Sequence, residues 1–275
     1  MSDAPAVSVV IPAWRRAASV RAAAESVLRQ TLSDLELIVV DDGSDDGTAE
    51  AAAAIDDPRL RVISHPVNRG ANAARNTGAR AARAEWIAFQ DSDDEWLPEK
   101  LARQTARLAE PPPGGGAWIA VYCGLLATDR DPATGRLRVD YVPRPGDGPI
   151  EGDLSAALAP GNFVSTQTLV VRRDALEAAG FFDEALPALQ DWDMALRLAP
   201  LGPIAVVDEP LAIQRLSADS LTRFSARRLE AYAAILARNA GRFPRRVRAA
   251  HARALALGHA RRGERRAAAA WAARA

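Results

Sequence analysis

In the first 110 residues of this 275-residue chain, short apolar runs alternate with segments in which apolar residues recur at helical spacing. Short, mostly apolar runs of strand length occur at 7–11, 35–40, 60–63 and 86–90. Apolar residues recur at helical spacing at 19–30, from 48, at 71–83 and from 99. Strands that alternate with helices across short loops predict a mostly parallel sheet with helices on both faces.

The pattern changes after a Pro/Gly-rich linker at 111–116. Strand-like runs then occur at 119–123, 136–141, 168–171, 204–207 and 211–214, with a turn at 131–135 and a loop at 143–149. Helices are predicted near Leu154, at 174–179 and from Gln190 onward. We therefore expect an α/β body, residues 1–225, made of two halves at about 1–110 and 117–225.

Residues 226–275 form a basic tail with helical propensity. This stretch holds 13 arginines but only two acids, Glu230 and Glu264, whereas residues 1–225 hold 22 basic and 33 acidic residues. One interpretation is a helical hairpin packed against the body or a partner. The other is a peripheral membrane contact, with arginines on anionic lipid and Trp271 near the headgroups. Interleaved aromatic residues are sparse, so we expect no nucleic-acid partner.

Several features favour a cytoplasmic protein. Residues 1–6 lack a basic leader, and the first apolar run is only strand length. No run approaches the ~20 apolar residues of a membrane span. Cys123 is the only cysteine, so no intrachain disulfide can form, which suits a reducing compartment. If the tail contacts lipid, we expect it at the inner face of the membrane.

Polar loops follow three of the predicted strands, at 12–14, 41–44 and 91–94. In open α/β sheets, ligands bind beyond the carboxyl ends of the strands, where these loops meet. Asp91, Asp93 and Asp94 would repel one another unless a cation lies among them, and their hard oxygen atoms suit Mg²⁺ or Mn²⁺, which in turn hold phosphates. A solvated acidic loop is the simpler alternative. The absence of G-x-G-x-x-G after the first strand counts against a dinucleotide-binding domain.

Six motifs occur in an order that resembles the family 2 glycosyltransferases, over roughly residues 7–222. They are the opening strand Val7 to Pro12, Val39-Val40-Asp41-Asp42-Gly43-Ser44, Asn68-Arg69-Gly70 with Ala74-Arg75-Asn76-Thr77-Gly78, Asp91-Ser92-Asp93-Asp94, Gly180-Phe181-Phe182-Asp183-Glu184 and Gln190-Asp191-Trp192-Asp193. The resemblance implies a GT-A-like, Rossmann-type fold with the nucleotide bound by the first half and the acceptor by the second. It also implies sugar transfer from a nucleotide-diphosphate donor, commonly a UDP-sugar, to a saccharide or lipid-linked acceptor in polysaccharide or glycolipid synthesis.

The resemblance also assigns a donor site. Its members are Pro12, Trp14, Asp42, Arg75, Asp91 and Ser92, with Mn²⁺ or Mg²⁺ held first by Asp93, then by Asp91, and with Asp94 in reserve. Asp42 would accept a hydrogen bond from the nucleobase, although an Asp-Gly-Ser turn that caps a helix is an alternative. Trp14 would stack on the base or belong to the core. Arg75 would neutralise the donor, pair with an acid of the crevice or remain solvated.

Asp191 corresponds to the family's catalytic base, which implies inversion at the anomeric carbon. A carboxylate at a helix start that only stabilises the helix is the alternative, and Asp193 is expected to be structural. Three residues depart from the family pattern: Arg15, Gln190 and Ser217. Gln190 and Ser217 keep open a catalytically silent nucleotide-sugar-binding partner. A sugar-nucleotide pyrophosphorylase is a further rival, but the loop after the first strand lacks glycine.

Overall fold

The computed structural model describes residues 4–130, 136–143, 150–215 and 225–275. The predicted turn at 131–135, the loop from 144 to 149 and the motif position Ser217 lie outside these ranges.

The first half is a parallel four-stranded sheet in the order β3-β2-β1-β4. Its strands are β1 (Val7–Ala13), β2 (Leu35–Asp41), β3 (Leu60–Ser64) and β4 (Trp86–Phe89). The helices between them are α1 (Val20–Leu28), α2 (Thr48–Ala53) and α3 (Ala71–Ala81). Every residue of β1 and β2 is buried, because helices cover both faces, and this explains their nearly continuous apolar runs.

The same sheet continues into the second half. Its strands are β5 (Glu95–Trp96), β6 (Ala120–Arg130), β7 (Leu137–Val142), β8 (Val170–Arg172) and β9 (Ile204–Arg215). Strand β8 is antiparallel to β4 and β6, β9 is parallel to β6, and β5 and β7 are antiparallel to β9 and β6 respectively. The predicted α/β class, with helices on both faces of one sheet, is confirmed.

Two predictions in the second half are wrong. The runs at 204–207 and 211–214 form one strand, β9, whose pairing with β6 shifts register on either side of Gly124. No helix forms near Leu154: after Gly152, which exchanges two backbone hydrogen bonds with Ile204 at 2.8 and 2.9 Å, the chain makes a single turn in which the Leu158 N–H donates to the Leu154 carbonyl at 2.9 Å. Leu154 is nevertheless fully buried.

The first half ends with α4 (Lys100–Ala109). The α-helices described beyond it are α5 (Arg173–Ala178), α6 (Gln190–Leu198), α7 (Ala226–Arg238), α8 (Arg245–Arg261) and α9 (Arg265–Ala272). Two buried apolar clusters lie on opposite faces of the sheet, because alternate strand residues point to opposite sides. One cluster packs against α1, α2 and α4, and the other against α3 and α5 to α8. Among the described residues, no helix combines the length and apolarity needed to cross a bilayer.

The basic tail packs against the body through α7 and α8. The Trp192 ring of α6 lies 5.5 Å from that of Tyr232 and 6.4 Å from that of Phe243, between centroids. The Tyr232 hydroxyl lies 2.6 Å from His251 Nδ1, and His251 Nε2 lies 2.8 Å from the carbonyl oxygen of Ala159. The packed-hairpin interpretation is thus confirmed for α7 and α8, whereas α9 buries no residue.

Lys100, the single lysine of the chain, is fully buried in the cluster beside α4. Its Nζ donates a hydrogen bond to Gln104 Oε1 at 2.7 Å and lies 3.8 Å from the Trp96 ring centroid. Burial lowers the pKa of Lys100 to about 8, because the apolar surroundings disfavour the charged form.

Candidate active site

The loops that follow β1, β2 and β4 meet at one edge of the sheet, as predicted. Asp41, the last residue of β2, pairs with Ala13, the last residue of β1, and Gln90 donates its backbone N–H to the Val10 carbonyl. Helix α6 of the second half brings Asp191 to the same edge, where the charges of Asp91 and Arg75 influence it. The two halves therefore share one polar crevice.

Asp42 is held by the protein itself. Its carboxylate accepts hydrogen bonds from the backbone N–H groups of Arg69, at 3.0 and 3.1 Å, and Gly70, at 2.7 Å. His65 Nδ1 lies 2.7 Å from Asp42 Oδ1. Both Asp42 carboxylate oxygens therefore have protein partners, which leaves Asp42 less available to a nucleobase than an unpartnered carboxylate would be.

The neighbouring Asp41 has the available acceptor. Its Oδ1 is buried and makes no hydrogen bond with any described residue, while its Oδ2 accepts only a long one, at 3.4 Å, from the Ser44 backbone. A buried carboxylate oxygen without a partner is costly, so it is expected to receive a donor when a ligand binds. Gly43 completes the turn at φ +71°, where a Cβ would lie 2.5 Å from the Val67 carbonyl carbon.

Helix α3 connects the two halves through asparagines that sequence reasoning did not single out. Asn76 exchanges two hydrogen bonds, both 2.9 Å, with the backbone of Phe182. Asn72 donates to the Asp183 carbonyl at 2.8 Å. The sequence signal for this role is that the two asparagines are four residues apart in one predicted helix, so their side chains lie on the same face. These bonds fix the Gly180–Glu184 loop, which precedes the helix that carries Asp191.

Arg75 pairs with an acid of the crevice, which is one of the roles considered for it. Its Nη2 donates to Asp91 Oδ1 at 2.6 Å, and its Nη1 donates to Asn72 Oδ1 at 3.2 Å. Its Nε is buried and without a hydrogen-bond partner among the described residues. Arg75 therefore orients Asp91 and reduces the negative charge of the acidic cluster.

Asp93 and Asp94 differ in their surroundings. The Asp94 carboxylate accepts from Gln167 Nε2 and from the Arg215 backbone, both at 3.0 Å, so both oxygens face protein donors. The Asp93 side chain is 37% exposed, and Arg16 lies 3.4 Å from it. Burial and the charge of Asp91 raise the pKa of Asp93, and the same causes raise the pKa of Asp94 well above its ordinary value. Asp93 is therefore the more available of the two carboxylates for a cation, since each Asp94 oxygen already has a protein donor.

Across the described ranges, no group of three or more His, Cys, Asp or Glu side chains is arranged to hold a metal ion. The donor chemistry nevertheless fits a cation in part. Burial and the charge of Asp91 raise the pKa of Asp93, and a divalent cation between the two carboxylates would relieve the repulsion on Asp93. Two protein carboxylates plus phosphate oxygens and water are a usual set for Mg²⁺.

Asp191 lies in the first turn of α6, after Leu189 in the left-handed conformation at φ 59°. Its Oδ1 accepts from the Trp192 N–H at 2.8 Å. Burial raises the pKa of Asp191, an effect that the Trp192 N–H and the positive charge of Arg228 oppose. Arg228 belongs to α7, so the tail contributes a positive charge near Asp191. No local sequence pattern indicated that an arginine of the tail would lie there.

The remaining predicted residues have separate environments. Asp193 is buried and accepts from Arg197 at 2.7 and 2.9 Å, so it is structural, as expected. Trp14 is 47% exposed, with the Arg15 guanidinium 5.2 Å from its ring centroid, and is therefore no core residue. Pro12 is buried within β1 opposite Val40, and Ser92 is also buried.

Comparison with known proteins assigns the family. The model of the family described as glycosyl transferase family 2 matches residues 8–143, a segment that contains β1 to β4, the acidic cluster and Arg75. Residues 8–143 belong to this family.

Two curated relatives are similar over part of their length. The succinoglycan biosynthesis protein ExoO of Rhizobium meliloti is 44% identical over 117 residues, which are 42% of this chain and 32% of that protein. The Escherichia coli UDP-Glc:alpha-D-GlcNAc-diphosphoundecaprenol beta-1,3-glucosyltransferase WfgD is 36% identical over 102 residues, or 37% and 40% of the two chains. The chain thus matches well under half the length of either relative.

The fold is shared over a longer stretch. The mannosyltransferase PcManGT from Pyrobaculum calidifontis, solved in complex with GDP-Man and Mn²⁺, superposes with a TM-score of 0.66. The alignment covers 98% of this chain and 74% of that one at 21% identity. At this identity the likeness shows the GT-A fold alone.

Proposed function

We propose that this protein transfers a sugar from a nucleotide-diphosphate sugar to a hydroxyl of a saccharide or lipid-linked acceptor, with inversion at the anomeric carbon. The observation that carries the proposal is the position of Asp191, a partly buried carboxylate of raised pKa that faces the Arg75–Asp91 pair. A carboxylate of raised pKa within electrostatic range of a charge-compensated acidic pair suits proton removal by the first and departure of a diphosphate beside the second.

On the donor side, Asp41 accepts a hydrogen bond from the nucleobase through its unpartnered Oδ1, and Trp14 stacks on the base. A UDP-sugar is the proposed donor, in line with the name of the E. coli relative. Asp93, with Asp91 held by Arg75, binds Mn²⁺ or Mg²⁺. Such an ion supplies neutralisation of the negative charge that develops on the leaving diphosphate.

On the acceptor side, Asp191 takes the proton of the attacking hydroxyl as its oxygen bonds to the anomeric carbon. The bond between that carbon and the diphosphate oxygen breaks with its electron pair remaining on the diphosphate. Burial raises the pKa of Asp191, which makes it a stronger base than an ordinary aspartate, while the Trp192 N–H and the charge of Arg228 oppose that rise.

The test is release of nucleoside diphosphate from a panel of UDP- and GDP-sugars with Mn²⁺ and saccharide acceptors. Asp191→Asn should lower kcat by about 10²–10⁴-fold while thermal shift by the donor persists. Asp174→Asn is the matched control, since Asp174 lies in the first turn of α5, away from the crevice. Turnover retained by Asp191→Asn would remove the proposed base.

A catalytically silent nucleotide-sugar-binding partner is the second candidate, favoured by Gln190 at a position where the family usually has Glu. Donor-induced thermal stabilisation of the wild type, without turnover of any donor in the panel, would support this candidate against the enzyme.

We further propose that the tail contacts anionic lipid at the inner face of the membrane, where a lipid-linked acceptor would reside. Arg245, Arg246 and Arg248 are exposed at the start of α8 and form no ion pair with described residues. Deletion of 226–275 would also remove buried core residues, so substitutions are the better test. Replacement of these three arginines by Gln should reduce flotation with anionic vesicles, whereas replacement of Arg21, Arg29 and Arg103 by Gln should not.

A further inference from the structure

Strand β7 presents an open edge. Within the described residues it pairs with β6 and with no other strand, from Leu125 opposite Val142 to Arg130 opposite Leu137. The outer edge therefore carries backbone N–H and C=O groups available to another strand. Leu137 and Val139 are 59% and 52% exposed, and they are among the few large apolar residues with such exposure.

The sequence of β7 is self-complementary about Val139. Arg138 and Asp140 flank it on one face of the strand, while Leu137 and Tyr141 flank it on the other. Tyr141 is fixed in place, because its hydroxyl donates to Asp208 Oδ1 at 2.7 Å. Neither Arg138 nor Asp140 forms an ion pair with a described residue, so both charges are available at the surface.

We propose that β7 pairs antiparallel with β7 of a second copy of this chain, with the two-fold axis at Val139. In this register Arg138 of each copy lies opposite Asp140 of the other, which gives two ion pairs, and Leu137 lies opposite Tyr141. The contact uses the same patch on both copies, as a two-fold dimer requires. The open edge of β7, its exposed apolar residues and its charge pattern are all accounted for by pairing with β7 of a second copy.

The charges also select the register. A two-fold axis at Arg138 would place two arginines directly opposite each other, and an axis at Asp140 would place two aspartates there. Like charges directly opposite across a strand pair are unfavourable, whereas opposite charges are favourable. Five paired residues per copy, 137–141, make a small interface beside the ~1,600 Å² of a standard complex, so we expect a weak, concentration-dependent dimer.

Charge exchange tests the register by sedimentation equilibrium. Arg138→Asp or Asp140→Arg alone creates two like-charged pairs and should raise the dimer dissociation constant about tenfold or more. The double variant exchanges both charges, restores two opposite pairs and should recover the wild-type constant. Arg21→Asp, at an exposed position of α1, is the control and should leave the dimer dissociation constant unchanged. A monomeric wild type at all concentrations, or a double variant as weak as either single one, would overturn the proposal.

Disulfide trapping tests the position of the axis. Directly opposed residues in antiparallel strands have Cα atoms about 4.5–5.5 Å apart, within the range that a disulfide spans. Val139→Cys should therefore form a covalent dimer on mild oxidation, and the buried Cys123 should not compete. Val67→Cys, at a residue that is 63% exposed, is the control. Equal cross-linking of the two variants would contradict the proposed pairing.

Discussion

Arg75 Nη2 and Asp91 Oδ1 lie 2.6 Å apart, with the arginine almost wholly buried under the acidic loop. The pair joins α3 to the end of β4, and its guanidinium also lies 5.6 Å from the Phe182 ring centroid. A carboxylate held in this way has its charge partly compensated, and its second oxygen accepts no side-chain hydrogen bond from the described part of the chain. Asp91 is thus oriented before any ligand arrives, which lowers the ordering cost of binding.

Arg75→Met should lower the free energy of unfolding by about 2–4 kcal/mol, because it leaves Asp91 unpaired beside two other acids. Urea denaturation measures the loss. Arg80→Met on the same helix is the control, since Arg80 is exposed and should cost at most about 1 kcal/mol. The double variant with Asp91→Asn should recover part of the loss, and failure to recover any would show that Arg75 acts through packing alone.

Arg228→Met should shift the pH dependence of transfer. The pKa of Asp191 is raised from 3.8, so its base form is lost at higher pH than that of an ordinary aspartate. Arg228 lowers this pKa, and its removal should move the acid limb of kcat/KM to still higher pH, with Mn²⁺ saturating. Arg227→Met, at the exposed neighbouring position, should leave the limb in place. Identical profiles for the two variants would mean that Arg228 does not influence the base.

Gly78→Ala should destabilise the protein by about 1–3 kcal/mol, although alanine is the better helix former by about 1 kcal/mol. A Cβ at this position would overlap Val10 Cγ1, where α3 lies directly on β1. In a denaturant-based double-mutant cycle, Val10→Ala should relieve part of this cost. Gly241→Ala, where a Cβ meets nothing within 4 Å, is the control. If Gly78→Ala instead raised the free energy of unfolding, α3 would have to shift away from β1 at little cost.

The free energy of unfolding should rise by about 1 kcal/mol between pH 8 and pH 9 because of Lys100. Its pKa is about 8 when folded and 10.5 ordinarily, so the unfolded chain binds more protons in this range and stability increases with pH. Lys100→Met should lack this rise. Burial also raises the pKa of Cys123 to about 11, which makes stability fall with pH in the same range. The difference between the stability profiles of the wild type and Lys100→Met removes this contribution, because both proteins contain Cys123.

Local patterns predicted most of the fold. The strands at 7–11 and 35–40 were recognisable because burial on both faces leaves no polar alternation. Strand β9 was predicted as two pieces because Asp208, Glu209 and Pro210 resemble a loop. Only pairing with β6 keeps them within one strand, and that contact lies more than 80 residues away in the sequence.

The site was predicted less completely, for a related reason. The adjacent residues Asp41 and Asp42 are equally acidic, and only the approach of the 68–70 loop determines which one is satisfied internally. Arg228 is one of 13 arginines in the tail. Its proximity to Asp191 arises from the packing of Tyr232 on Trp192, which a sequence pattern does not encode.

Burial of the single lysine has a practical consequence for labelling. No ε-amino group of the native protein is accessible to solvent, so amine-reactive dyes and cross-linkers cannot modify any lysine side chain without unfolding. Modification of Lys100, followed by mass spectrometry, would therefore count the molecules in which the cluster beside α4 has opened. The chain carries its own probe of unfolding.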